Sequence, residues 1–178
     1  MSANRGPAAA AENRAAIIRA AGEIFAEQGL DAPLNAIAKR AGVGQGSLYR
    51  HFPTRESLAF AAFEGNLEII RAVVERGGTL ADVLRLATEQ AANSVAFTAL
   101  VTRHQDDPRS GELGAHIQAI LEATIEGGRA AGTVAQSFGV DDVLLAIRLV
   151  SSTLAVSMPA ERAQLAADAW LLLGIHLD

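Results

Sequence analysis

The sequence has no cysteine and few aromatic side chains, and each shortage narrows the range of folds and sites. Without cysteine, neither a disulfide framework nor a thiolate metal site can form. Aromatic residues make up 4% of the chain and proline contributes five residues, whereas alanine and leucine are abundant. This composition favours an all-helical protein over a β-sandwich or a βαβ fold. A chain of 178 residues can hold one substantial core, or a small domain joined to a larger one.

Long apolar segments are also missing. The strongest apolar run, Trp170–Ile175, is much shorter than the roughly 18 residues that a membrane span requires. The first residues, MSANRGPAAAAENR, lack the apolar region of a signal peptide. We therefore expect a soluble, cytoplasmic protein, which is consistent with the absence of cysteine.

Patterns that carry catalysis are absent from the sequence as well. It contains no HExxH, GxSxG or P-loop pattern, and its four histidines stand far apart at positions 51, 104, 116 and 176. We therefore predict that the chain is not an enzyme and needs no cofactor or metal ion.

Charge is distributed unevenly along the chain, whose net charge is -5. Residues 1–55 contain seven basic and four acidic residues, a balance of +3, whereas residues 56–178 contain eight and sixteen, a balance of -8. A basic N-terminal part on an acidic body is expected when only the N-terminal part meets phosphates.

Apolar spacing predicts a helix over residues 12–28, after a disordered arm over residues 1–11. A short second helix follows Pro33, and Gly42-Val43-Gly44 ends it. The third helix is predicted over Gln45–His51. The predicted inner faces of these two short helices are apolar: Leu34, Ile37, Ala38, Ala41, Leu48 and Phe52.

A long fourth helix is predicted from a Thr54 cap to about Arg76, before the break at Gly77-Gly78. Five more helices follow by their pattern, giving about nine in all: 79–94, 96–105, 111–131, 141–157 and 160–176. Gly127-Gly128 predicts an early end or a kink in the third of these five.

Three helices with a glycine-containing turn between the second and third match the helix-turn-helix plan, in which the last helix enters the major groove of DNA. Polar side chains cluster on that helix. Gln45 is able to pair with adenine, and Ser47 with several bases or a phosphate oxygen. A single tyrosine on a helix is usually a packing residue and a single histidine is usually solvated. The clustering of Tyr49, Arg50 and His51 within seven residues nevertheless favours DNA contact.

The residues that follow this helix add two candidate phosphate contacts. Thr54 and Arg55 stand at a predicted helix N-terminus, where free N–H groups favour an anion. The glycines at positions 44 and 46 lack side chains, so backbone can approach DNA closely.

Several segments together resemble the signature of the TetR (tetracycline-repressor-like) family over about 45 residues: Phe25–Gly29, IAKRAGV from Ile37, LYRHFP from Leu48 and RESL from Arg55. The resemblance implies a dimeric bacterial transcription regulator, usually a repressor released from its operator by a small molecule. It implies DNA contacts by the following residues: Gln45, Gly46, Ser47, Tyr49, Arg50, His51 and Arg55. Thr54, Lys39 and Arg14 are added as candidate DNA contacts. The sequence departs from the family at Pro33 and Gly44, where capping side chains are common.

The resemblance also divides the chain into a DNA-binding domain over residues 12–56 and an effector-binding and dimerisation domain over residues 57–178. Candidate effector contacts are Phe63, Leu67, Phe97, Val101, His104, His116, Ile117 and Leu121, for each of which core packing is the alternative. Candidate dimer contacts on the last two helices are Leu145, Leu149, Leu165, Ala169, Leu172 and Leu173, for which burial within one subunit is the alternative.

We therefore predict a homodimeric repressor that a small, largely apolar ligand releases from a palindromic operator. The alternative function is a helical interaction module whose N-terminal part is vestigial and binds protein rather than DNA.

Overall fold

The computed structural model describes residues 5–90, 96, 99–101, 103–104, 106–158 and 160–177, which form helices joined by turns and loops, without a strand. Its bounded helices are α1 Arg5–Gln28, α2 Leu34–Arg40, α3 Gln45–His51, α4 Arg55–Glu75, α5 Leu80–Glu89, α6 Pro108–Ala130, α7 Val140–Ala155 and α8 Arg162–Leu172. Ala96, Leu100 and Arg103 are also helical and fall in the predicted helix over 96–105. The predicted all-helical class is therefore confirmed. No helix within these described ranges is long and apolar enough to cross a membrane.

The short helices near the N-terminus lie where their pattern placed them, and α3 has the predicted bounds. Several predicted ends are corrected, among them that of α5, which ends at Glu89 instead of residue 94. The first helix begins at Arg5 instead of residue 12, so the residues from Arg5 onward of the predicted disordered arm are helical. The last helix ends at Leu172, several residues before the predicted end at 176.

The contacts divide the chain into two compact units, Met1–Asn66 and Leu67–Asp178, with the division inside α4. The sequence-based boundary between residues 56 and 57 concerns functional domains, and it remains a prediction. In the first unit, α1, α2 and α3 contact one another around buried apolar side chains that include Ile17, Phe25 and Ile37. In the second unit, α5, α6, α7 and α8 surround a core that includes Leu84, Leu121, Val143 and Trp170.

Close contact between two helices explains one of the paired glycines in α6. The helix continues through Gly127 and Gly128 to Ala130, so the predicted early end is wrong. A Cβ atom added to Gly128 would lie 2.5 Å from Cδ2 and 3.0 Å from Cβ of Leu80, which is itself 1% exposed. A hydrogen atom at position 128 is therefore what allows the start of α5 to pack against α6.

We expect Gly128→Ala to lower the free energy of unfolding by about 1–3 kcal/mol, because Leu80 is buried and has little room to move. Gly127→Ala is the matched control on the same helix. A Cβ atom there meets no heavy atom of the described residues within 4 Å, so alanine should add about 0.5–1 kcal/mol. Urea unfolding of both variants measures the difference. Equal effects of the two substitutions would contradict the close-contact explanation.

Candidate nucleic-acid interface

The third helix depends on its neighbours. At seven residues, α3 is shorter than the roughly 12–15 residues at which isolated helices become marginally stable. Its inner side chain Leu48 is 1% exposed, and Phe52, its C-cap residue, is also buried. Helix α3 contacts both α1 and α2, so packing against these helices stabilises it.

The turn between α2 and α3 is built around Gly42, whose φ of 70° lies in the left-handed region that glycine tolerates best. The N–H of Gly42 donates to the carbonyl of Lys39 (3.2 Å), and the N–H of Val43 donates to that of Ala38 (3.0 Å). This pair of bonds is the Schellman arrangement, which ends a helix and redirects the chain. Val43 is half-buried in the turn, which agrees with its predicted position between the two helices.

The outer face of α3 carries the polar side chains predicted to meet DNA. Gln45, Tyr49 and Arg50 are exposed, and the Tyr49 side chain is 51% exposed. Ser47 and His51 are half-buried at the edges of this face. An exposed tyrosine on a helix whose opposite side is packed is not the usual packing residue, so the DNA interpretation gains support.

Nε of Arg50 donates to the carbonyl of Gly46 at 3.2 Å, a bond within the helix that leaves the remaining guanidinium N–H groups for another acceptor. Gly46 itself is exposed, and a Cβ atom there would meet no described heavy atom within 4 Å.

Two further predicted DNA contacts lie on neighbouring helices. Lys39 is exposed near the end of α2. Arg14 on α1 is exposed, and its guanidinium carbon lies 5.2 Å from the centroid of the Phe52 ring, within the range of a cation–π interaction. This contact joins α1 to the C-cap residue of α3.

Thr54 caps α4 as predicted, because its Oγ1 accepts a hydrogen bond from the Ser57 N–H at 3.1 Å. Position 57 holds serine, whereas a full capping box has glutamate or glutamine there. Instead, the Ser57 hydroxyl takes that part: Oγ lies 3.4 Å from the Thr54 N–H and also donates to the Thr54 carbonyl at 2.7 Å. The helix start next to the candidate interface is therefore capped in both directions.

Arg55 lies differently from an outward phosphate donor. It is half-buried, and its Nη1 donates to the carbonyl oxygens of Leu30, at 2.8 Å, and of Ala32. Pro33 and Gly44 are the N-cap residues of α2 and α3, and neither helix has a side-chain capping bond. At both departures from the family pattern, the helix therefore starts without a capping side chain.

An ion-pair cluster that sequence reasoning missed joins α1 to α2. Arg40 Nη1 lies 2.7 Å from Glu23 Oε2, and Arg40 Nη2 lies 3.0 Å from Glu27 Oε2. The hydrogen bond to Glu27, followed by that to Glu23, raises the pKa of Arg40. Spacing along the chain carries no signal of such a pair, although Glu23 and Glu27 stand one helical turn apart on α1.

The predicted effector contacts do not all line one cavity. Leu67 and His116 line a groove of about 190 Å³ between α4 and α6, together with Arg71, Val74 and Ala123 among others. Phe63 and Leu121 are instead buried core residues, each less than 5% exposed, and Ile117 packs against the core of the second unit. The remaining candidates stand elsewhere: Val101 and His104 are half-buried, and Phe97 lies outside the described residues.

The predicted dimer contacts fall into two groups. Leu145 and Leu149 on α7 and Leu172 on α8 are exposed, and Leu172 is 87% exposed. Leu165, Ala169 and Leu173 are half-buried and pack against the core of their own unit. Among the described residues, no three His, Asp or Glu side chains converge as metal ligands would.

Comparison with known proteins identifies the family. The family model of bacterial regulatory proteins of the tetR family matches residues 17–62, which contain α2, α3 and the first part of α4. A crystal structure of a TetR transcriptional regulator from Streptomyces coelicolor is 32% identical in sequence and superposes with a TM-score of 0.65, covering 90% of this chain and 95% of that one. The chain belongs to the TetR family. This membership agrees with the predictions of fold and of a regulator rather than an enzyme.

Other proteins match to differing extents. An HTH-type transcriptional regulator of Staphylococcus aureus is 39% identical over 61 residues, which make up 34% of this chain and 33% of that protein. The chain thus matches only a third of that curated relative. A γ-butyrolactone receptor described as ArpA-like is 25% identical, with a TM-score of 0.50 over 92% of this chain and 98% of that one.

Proposed function

We propose that this TetR-family protein is a transcriptional regulator that binds a specific DNA sequence through α3. The observation that supports this most directly is the outer face of α3, where exposed Gln45, Tyr49 and Arg50 stand on a helix anchored by buried Leu48. Gln45 and Ser47 read base edges, and Tyr49, His51 and Lys39 hold phosphates. Because bacterial chromosomal DNA lies in the cytoplasm, the proposal also places the protein there.

We expect Tyr49→Ala and Arg50→Ala each to weaken binding to the preferred duplex by about tenfold or more, because each removes donors from the exposed face. The duplex is obtained by letting the unchanged protein select from a random pool. Arg76→Ala, which removes the same charge just beyond α4, should leave affinity unchanged. Circular dichroism checks that helicity is retained. Specific binding that survives both substitutions on α3 would overturn the proposed contacts.

We further propose a homodimer formed through α7 and α8. These helices pack against each other, and they expose large apolar side chains: Leu145, Leu149, Val156, Met158, Leu171 and Leu172 lie on them or in the segment between them. Large apolar side chains grouped on one pair of helices are typical of a surface that a partner covers. A twofold pair of α3 helices then requires a palindromic operator with half-sites about one helical turn, or a multiple of it, apart.

We expect Leu172→Glu to weaken this dimer roughly a hundredfold or more, because it would place an unpaired charge in the apolar interface. Ile69→Glu is the matched control, since Ile69 is 53% exposed on α4 and lies outside the proposed interface. Sedimentation analysis over a concentration series measures both variants. If Leu172→Glu dimerises as tightly as the unchanged protein, the proposed interface is wrong.

A small, largely apolar effector is the third part of the proposal, and its entry point is the groove between α4 and α6. The groove combines apolar walls from Leu67, Val74 and Ala123 with the polar edge of His116 and Arg71. Its volume of about 190 Å³ is below the 300–1,000 Å³ typical of ligand sites, so the groove must widen to admit a ligand. The similarity to a γ-butyrolactone receptor supports a small-molecule effector.

Helix α4 connects this groove to the candidate interface, because it is continuous from Arg55 to Glu75. A ligand that binds more tightly when α4 has one orientation shifts the protein towards the conformation with that orientation. This shift would change the distance between the two α3 helices of the dimer. In this proposal the protein is a repressor that the ligand releases from DNA.

We expect a panel of small apolar lactones and esters to contain compounds that release the selected duplex. Ala123→Leu, which fills the groove, should raise the concentration needed for release about tenfold. Ala115→Leu adds the same bulk on an exposed position of α6 outside the groove and should not. Release of bound fluorescent duplex measures all three proteins. Affinity that stays constant across the panel and across cell extracts would overturn effector control.

A protein-binding module with a vestigial N-terminal part remains the alternative function. It predicts that the unchanged protein selects no duplex from the random pool. Any binding to DNA should then weaken as salt concentration rises and show no sequence preference.

A further inference from the structure

The segment between α1 and α2, residues 29–33, is held from a distance by Arg55. The guanidinium of Arg55 donates to the carbonyls of Leu30 and Ala32, which precede it by 25 and 23 residues. Leu30 and Ala32 are buried, at 7% and 3% exposure. Hydrogen bonds from a charged donor are roughly twice as strong as those between neutral groups, so these bonds are well suited to fixing backbone.

This segment lacks the local device that usually orders the start of a helix. The N-cap of α2 is Pro33, which has no side-chain hydroxyl or carboxylate to accept from the first N–H groups. The segment itself contributes a bond from the Ala32 N–H to the Gly29 carbonyl (3.2 Å). Arg55 therefore supplies, from the first residue of α4, an anchor that the sequence next to α2 does not provide.

The hydrogen bonds of Arg55 also affect how α3 is positioned. In chain order α3 lies between the segment that Arg55 holds and Arg55 itself, with Gly44 as its N-cap and Phe52 as its C-cap. Tying the start of α2 to the start of α4 closes a loop that contains both short helices. The direction in which α3 presents its outer face is then constrained from both sides.

We propose that Arg55 is a positioning residue for DNA binding, which orders the start of α2 and the setting of α3 instead of contacting a phosphate. This inference rests on the proposed DNA-binding function. It replaces the role that the family resemblance implied for this position, because the donor is half-buried and bonded to two carbonyl oxygens of its own chain.

Salt dependence separates positioning from phosphate contact. Log affinity falls as log salt rises, and each phosphate contact that is lost lowers the steepness of this fall by about 0.9. We expect Arg55→Met to weaken binding of the selected duplex about tenfold with this steepness unchanged, at temperatures well below its unfolding transition. Lys39→Met, which removes an exposed cation from α2, should lower the steepness of this salt dependence by about 0.9. A drop of that size in Arg55→Met would overturn the proposal.

A second experiment needs no DNA. Pro33→Ser restores a capping hydroxyl at the start of α2, so it should reduce the loss of thermal stability caused by Arg55→Met. The two single variants and the double variant form a cycle in which the effect of the proline on the unfolded chain cancels. Strictly additive shifts of the melting temperature would overturn the proposal. If the unchanged protein selects no duplex, the proposed function fails, while this cycle still decides whether Arg55 anchors the segment.

Discussion

The candidate interface depends on the burial of Leu48 and Phe52. A helix of seven residues has too few internal hydrogen bonds to be stable by itself, so α3 exists only where its inner side chains are taken out of water. Full burial of side chains of this size contributes about 1.5–3 kcal/mol each. The helices around α3 supply the apolar surface against which this burial occurs. Every polar group on the outer face is held in place by this contact.

Several contacts at the edges of the first unit restrict how α3 can turn. Gly42 sets the exit of the chain from α2, and the Arg14 guanidinium lies against the Phe52 ring at the end of α3. The reciprocal Thr54 and Ser57 bonds then begin α4. A recognition surface that is ordered before binding loses less entropy when it meets DNA. These contacts around a short helix are of the kind that such preorganisation requires.

In the second unit, helix α8 has apolar side chains that the subunit's own core does not cover. Helix α8 has apolar side chains on more than one side, and its Trp170 enters the core, where Nε1 donates to Thr88 Oγ1 at 2.9 Å. Leu172, two residues later, points to solvent. A helix with apolar side chains on opposite sides needs a neighbour on each, and the single subunit provides one. The proposed homodimer supplies the other, and it pairs the α3 helices as a palindromic site demands.

Local chemistry in the sequence was sufficient to predict α2, α3, the glycine turn and the exposed polar cluster, because helical spacing and glycine or proline punctuation act over a few residues. It did not reveal that Arg55 bonds to Leu30 and Ala32, or that Arg40 pairs with Glu23, since those partners lie 17 to 25 residues apart. Periodicity likewise grouped apolar residues on one side of a helix without showing what covers them. Burial of Leu121 in the core and exposure of Leu172 depend on which helices pack together, and that is a property of the folded chain alone.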